Sequence, residues 1–232
     1  DAVKLIRKDN PFPTACGLIC EHPCEAHCRR AMVDDAINIC GLKRFAVDHA
    51  KAEPAKILYE KTGKTVGIIG GGPGGLTAAY YLAQMGHQVT VYEQRPKLGG
   101  MLRYGIPSYK LEKDLLAAEI DVIRQLGVEI RCGVEVGKDI TIEDLRAQGY
   151  KGFYAAIGCQ RGRKPGISGE NAEGAYAAVD FLRKAGAKES FALEGDVVVV
   201  GGGNVAIDAA RISSRCTDAK ISMFCLETRE KM

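Results

Sequence analysis

Four cysteines stand in even register near the start of the chain. Cys16, Cys20, Cys24 and Cys28 follow the pattern C-x3-C-x3-C-x3-C, and Cys40 comes a little later. Thiolates are soft donors, suited to zinc or to iron–sulfur clusters, and such a cluster takes four of them or nearly so. Structural zinc sites favour short pairs split by a longer gap, so the even spacing leans toward iron. His22 and His27 lie within the block and are candidate zinc ligands, although ordinary loop positions explain them as well. Plain structural thiols are the third reading.

Two glycine-rich turns carry a second chemistry. The first, Gly70-Gly71-Gly72-Pro73-Gly74-Gly75, follows the apolar run TVGII, and Gly70, Gly72 and Gly75 fit G-x-G-x-x-G. Gly70 serves the tight turn, Gly72 the approach of backbone to a pyrophosphate, and Gly75 the close packing of helix on sheet. The helix that starts there aims N–H groups and the positive end of its dipole at the phosphates. Glu93 closes the next run, QVTVYE, where a carboxylate reaches ribose hydroxyls. The second turn, Gly201-Gly202-Gly203-Asn204-Val205-Ala206, follows VVVV and fits the variant with alanine last. The strand expected after it ends at Leu226-Glu227, which makes Glu227 the matching acid, a solvated loop charge being the alternative. Two such units imply two dinucleotide sites, unless a duplicated fold has lost its second ligand.

Alternating elements must hold these turns. The pattern predicts strands at 65–70, 88–93, 128–131, 153–157, 197–200 and 221–226. Helices are predicted at 75–85, 111–126, 142–147, 175–185 and 205–213, with Gly86 and Gly127 as stops. This alternation reads as α/β with a doubly wound parallel sheet. The expected division is a helical cysteine-rich domain over 1–60, a first dinucleotide-binding domain over 61–165 and a second over 166–232. Residues 51–64 read as a charged connector.

Composition narrows the class. Apolar residues make up 46% of the 232, enough for a buried core. Basic and acidic residues nearly balance, 32 against 29, so neither nucleic acid nor an acidic membrane surface is an expected partner. No apolar run approaches the roughly 20 residues of a membrane span. The absence of a leader pattern points to the cytoplasm. A chain that opens on Asp1 rather than Met is expected to continue upstream.

The segments CGLICEHPCEAHCRR, INICGLKRFAVD, GIIGGGPGGLTAAYYLAQMGHQVTVYEQ, GGMLRYGIPSYKLEKDLL and VVVVGGGNVAIDAAR together resemble the glutamate synthase small-subunit family. Its relatives include the flavoprotein part of dihydropyrimidine dehydrogenase and NADH-dependent ferredoxin:NADP oxidoreductases. The resemblance covers nearly the whole chain. It implies an N-terminal helical domain with two [4Fe–4S] clusters, an FAD domain, and an NAD(P)H domain inserted into the FAD domain. FAD would be held by Gly70, Gly72, Pro73, Gly74, Gly75 and Glu93. Gly99, Gly100, Met101, Leu102, Arg103, Gly105, Ile106 and Pro107 would run along the flavin. Val136 would meet the adenine by its backbone, and Ala156 and Gly158 would lie near the pyrophosphate. Gly201, Gly203, Asn204, Val205 and Ala206 would cradle NAD(H) or NADP(H), with Glu227 beside the ribose.

The chain departs from the family in four places. The upstream cysteine group of the relatives is absent. Lys43 stands where they place Glu or Gln, and an ammonium cannot ligate iron. Cys40, about one helical turn earlier, is the expected substitute, so the metal ligands are read as Cys20, Cys24, Cys28 and Cys40; Cys16, whose counterpart in relatives can be a spectator, is left open as a ligand. Leu226-Glu227 replaces a pair of arginines found in NADPH users, which implies NADH. The second half of the FAD domain is expected beyond Met232.

The expected function is electron transfer between NAD(P)H, NADH favoured, FAD and [4Fe–4S] clusters, to or from a partner subunit or ferredoxin. No side chain is required as acid or base. A non-catalytic relay or scaffold subunit is the alternative. A disulfide reductase needs a redox cysteine pair, and Cys132, Cys159, Cys216 and Cys225 are isolated.

Overall fold

The computed structural model describes residues 1–50, 54–162, 164–187, 193–226 and 228. The chain forms two compact units, Asp1–Leu102 with Lys110–Gly158, and Arg103–Tyr109 with Cys159–Met232.

The first unit is built on a parallel sheet of β1 (Thr65–Ile69), β2 (Gln88–Glu93), β3 (Glu129–Cys132) and β4 (Tyr150–Ala155), in the order β3-β2-β1-β4. Ile68 pairs with Val91 on one side and Tyr154 on the other. Central parallel strands are covered on both faces, which is why TVGII and VTVY are nearly continuous apolar runs. α5 (Pro73–Gln84) starts on a proline at its first turn, where no N–H is needed, and buries Leu76, Ala79, Tyr80 and Ala83 at helical spacing. α6 (Gly100–Tyr104) is a short turn, and α7 (Lys113–Arg124) buries Leu116, Glu119, Ile120 and Ile123. α8 (Ile142–Ala147) opens with a capping box between Thr141 and Asp144.

β4 runs from Tyr150 to Ala155 rather than over 153–157. The reason is Tyr150, a core residue. Its hydroxyl accepts from Tyr92 and donates to Thr90 Oγ1, both at 2.9 Å, and its ring stacks on Phe153. Burial pushes the Tyr92 phenol far above its usual range.

The head of this unit carries α1 (Ala2–Ile6), α2 (Pro13–Ile19), α3 (Pro23–Ala26), a 3-10 turn at Arg29–Met32 and α4 (Ile39–His49). Asn38 caps α4 by accepting from the Gly41 N–H at 2.8 Å. Phe12, Pro13 and Ala15 are buried, and the Tyr81 hydroxyl donates to the Lys8 carbonyl at 2.9 Å. Residues 58–62 of the connector are held at the end of α5. The N–H groups of Leu58 and Tyr59 both donate to the Gln84 carbonyl, and that of Thr62 to Gly86.

In the second unit, β5 (Val197–Val200) and β6 (Ile221–Phe224) pair in parallel around α10 (Asn204–Ser213). α9 (Ala178–Gly186) packs on α10 through Phe181, Leu182 and Ala209. This helix starts at Ala178 and not at 175, because Ala175 N–H closes a turn onto the Ala172 carbonyl. No helix among the described residues is long and apolar enough to cross a membrane.

Candidate functional site

The first glycine turn is enclosed by three other segments. Gly70 has φ +107°, and its N–H donates to the Tyr92 carbonyl at 2.8 Å. A Cβ on Gly70 would lie 2.3 Å from the Ala156 carbonyl oxygen, and one on Gly75 would lie 2.0 Å from that of Gly70. Both positions are therefore closed to any side chain. Gly99 N–H donates to the Gly71 carbonyl at 2.8 Å, and a Cβ on Gly100 would lie 2.7 Å from Gly72 Cα. Gly72 caps α5 with extended backbone and no capping side chain, while Pro73 and Gly74 are exposed beside it. The start of α5 thus has space over its first turn, where a helix N-terminus can receive an anion.

Glu93 is buried at the end of β2. Its Oε2 accepts from Gly71 N–H at 2.7 Å and its Oε1 from Arg95 N–H at 2.8 Å. Each oxygen retains a lone pair for a hydroxyl donor. Val136 bridges to Ile140 and, with Ile69, Gly137, Thr141, Ala155 and Ile157, lines an open cleft of 390 Å³. Ala156 N–H donates to Ile69, and Gly158 is exposed with φ +70°. Gly70, Gly72, Gly75, Glu93, Gly100 and Ala156 are brought together. Met101 and Leu102 follow Gly100 in α6, whereas Arg103, Gly105 and Ile106 belong to the second unit.

The second turn repeats the plan. Gly201 has φ +125° and donates its N–H to the Phe224 carbonyl at 2.7 Å, as Gly70 does to Tyr92. Gly203 caps α10 with nothing within 4 Å of a Cβ placed on it. Asn204 and Val205 are exposed at the helix start, and Ala206 is buried. A Cβ on Gly201 would meet that of Ala206 at 3.5 Å, ordinary contact, so this looser turn accepts alanine. Leu226 is exposed, and Glu227 lies outside the described residues.

In the head, Cys16 lies in α2, Cys20 caps its end, Cys24 lies in α3, Cys28 precedes the 3-10 turn and Cys40 sits in the first turn of α4. None of the described cysteines is in a disulfide. Cys16 Sγ points to Asn10 Oδ1 at 3.7 Å. His22 N–H donates to Cys20 Sγ at 3.3 Å. Backbone N–H groups, that of Ile37 foremost, pull the Cys28 thiol down. Burial pushes Cys40 up, the Lys43 ammonium opposes this, and charge on Cys20 and Cys24 adds to the rise. Lys43, no ligand itself, favours the Cys40 thiolate. Among the described residues no three Cys, His, Asp or Glu side chains converge on one metal ion. The cysteines of this block are a soft donor set of the kind that iron–sulfur clusters take.

The family model for pyridine nucleotide-disulphide oxidoreductases matches residues 64–230. The chain belongs to that family. Residues 1–55 match the model for dihydropyrimidine dehydrogenase domain II, 4Fe-4S cluster, so the two glycine turns and the cysteine block each fall within a matched domain. The chain is 40% identical over 241 residues to the NADPH-Fe(3+) oxidoreductase subunit beta of Geobacter sulfurreducens, covering 100% of this chain and 36% of the relative. It is 34% identical to the glutamate synthase [NADPH] small chain of Bacillus subtilis, covering 97% and 48%. FprA of Mycobacterium tuberculosis, solved in complex with NADPH, matches 64% of this chain and 36% of its own at 27% identity, with a TM-score of 0.56. The chain thus spans between a third and a half of the length of these relatives.

Sequence reasoning passed over polar residues in three places. Glu25 accepts from Cys40 N–H through Oε1 at 2.7 Å and meets His22 through Oε2 at 3.3 Å, tying α4 to the cysteine loop. In the second unit, Tyr109 donates to buried Asp208 at 2.9 Å, and the guanidiniums of Arg211 and Arg215 lie 4.9 and 4.4 Å from its ring. Glu119, a carboxylate in the apolar stripe of α7, was legible as an anomaly.

Proposed function

We propose that this chain passes electrons between a nicotinamide dinucleotide, with NADH preferred, FAD and [4Fe–4S] iron, on behalf of a partner subunit or ferredoxin. The observation that carries the reading is that one compact unit holds both the first glycine turn and the cysteine block. The division into a cluster domain (1–60), an FAD half (61–165) and a nicotinamide half (166–232) belongs to the same reading. Bound FAD accepts a hydride's two electrons and gives them up singly, which suits it to stand between nicotinamide and iron–sulfur centres.

The chain's own residues bind and orient. Gly72 and Gly100 give phosphates access to the start of α5, and Glu93 holds the turn through Gly71 while offering lone pairs to a ribose. The Val136 cleft accepts an adenine, and Ala156 and Gly158 flank the pyrophosphate. Gly201, Gly203, Asn204, Val205 and Ala206 take the nicotinamide dinucleotide on α10. Cys20, Cys24, Cys28 and Cys40 supply the thiolates. The Leu226-Glu227 end supports NADH, since a carboxylate repels a 2′-phosphate. A second reading, NADPH, is favoured by the names of the two relatives.

The test is anaerobic titration of the full-length protein with NADH and NADPH, read at 450 nm and by EPR. Bleaching of the flavin with higher kcat/KM for NADH is expected. Equal or better kcat/KM with NADPH overturns the NADH preference. A flavin that neither nucleotide bleaches overturns the enzymatic reading in favour of a relay or scaffold.

A further inference from the structure

α2 begins without a cap of its own. Its N-cap is Phe12, which has no acceptor on its side chain, and its first residue is Pro13, which has no N–H. A helix leaves its first four N–H groups without internal partners. Phe12 N–H goes to Asn10 Oδ1 at 3.0 Å. Thr14 and Ala15 N–H both go to the carboxylate of Glu119, at 2.6 Å to Oε1 and 2.9 Å to Oε2. Glu119 sits on α7 within the first dinucleotide fold, 105 residues along the chain from Thr14, and is 3% exposed. The account of α2's donors therefore closes only while the cysteine head is docked on α7.

Charge-assisted bonds of this kind are the strong ones, and a carboxylate so buried has no water to replace the two N–H groups. The bidentate grip fixes the direction of α2 as well as its position. α2 transmits that fix to Cys20 at its far end, about 10 Å along the axis. We infer that Glu119 is a positioning residue, setting the cysteine block against the flavin half and so controlling electron transfer from flavin to cluster. It acts through α2 rather than on either cofactor. The inference rests on the function proposed above.

The test compares full-length, cofactor-loaded protein with Glu119→Gln and the more severe Glu119→Ala. Glutamine keeps the shape but turns a donor toward one of the two N–H groups. FAD and iron contents should match the parent, and flavin reduction by nicotinamide should stay within two-fold. Hydrogen exchange at the Thr14 and Ala15 amides should accelerate at least ten-fold. Cluster reduction, followed by rapid-freeze EPR, should slow at least ten-fold. Faster exchange with cluster reduction within two-fold would reduce Glu119 to a stabilising cap and overturn the inference, as would no change in either. Where the alanine variant does not fold, the glutamine variant decides on the same readings. If no nicotinamide bleaches the parent flavin, the functional reading fails instead, and photoreduced flavin as electron source still tests Glu119.

Discussion

Glycines of one motif differ in what surrounds them, and that difference separates folding from binding. A Cβ on Gly75 would stand 2.0 Å from the Gly70 carbonyl, so Gly75→Ala must push α5 off β1. Overpacking of this kind costs about 1–3 kcal/mol, which a lowered urea midpoint should register. Gly72 has φ −80°, and a Cβ there meets only Gly100 Cα at 3.7 Å. Gly72→Ala should leave the urea midpoint unchanged yet purify with flavin content reduced at least several-fold, measured from the 450 to 280 nm ratio. An alanine variant that retains full flavin refutes the cradle. The cysteines are separable in the same way. Cys40→Ser should lower iron content and change the cluster EPR signal, whereas Cys16→Ser, its thiol turned to Asn10, should do neither. Residue types and spacing made Gly70, Gly72 and Gly75 readable, because each glycine answers a local geometric demand. The anchoring of the turn by Glu93 was not readable, because its partner is a backbone N–H that the turn itself creates.

Elements were legible where a periodic stripe met a strong stop. The strands at 88–93 and 197–200 and the helix at 142–147 came out where expected. Other starts shifted by one or two residues, and the two largest shifts, of three residues at Tyr150 and Ala178, arose because a buried hydroxyl chain and a local turn outweighed apolar pattern. The docking of α2 on α7 was hidden, since it joins segments far apart in the chain. It has a pH signature. Burial is the largest influence on Glu119 and raises its pKa from the ordinary 4.5, while the N–H groups of Ala15 and Thr14 and the charge of Arg7 pull it down. A raised carboxylate binds its proton more tightly folded than unfolded. Its contribution to stability is therefore full below 4.5 and is lost as pH rises through the raised folded value. Across that window the urea midpoint of the parent should fall relative to Glu119→Gln. Two parallel curves would show that this carboxyl does not titrate abnormally.

At the scale of the molecule, the repeat of strand, glycine turn and helix was plain in the sequence, but the path of residues 103–109 was not. That segment leaves the first unit after Leu102 and is held in the second by the Tyr109–Asp208 bond and the two arginines over the ring, a combination no local pattern announces. The duplicated turns permit a dissection of the proposed electron path. Gly203, like Gly72, caps a helix with extended backbone and has open space where a Cβ would stand. Gly203→Ala should thus fold normally and keep its flavin and iron, while the nicotinamide-driven rate of flavin bleaching drops at least ten-fold. Photoreduction of the same variant should bleach the flavin and then reduce the cluster at parental rates, because nothing beyond the second turn has changed. Gly72→Ala should show the complementary pattern: dithionite reduces its cluster as in the parent, and nicotinamide reduces it no faster than buffer. If nicotinamide still reduced the cluster of a flavin-free Gly72→Ala protein, electrons would have a route that bypasses the first turn, and the ordered path from second turn to first turn to cysteine block would be wrong.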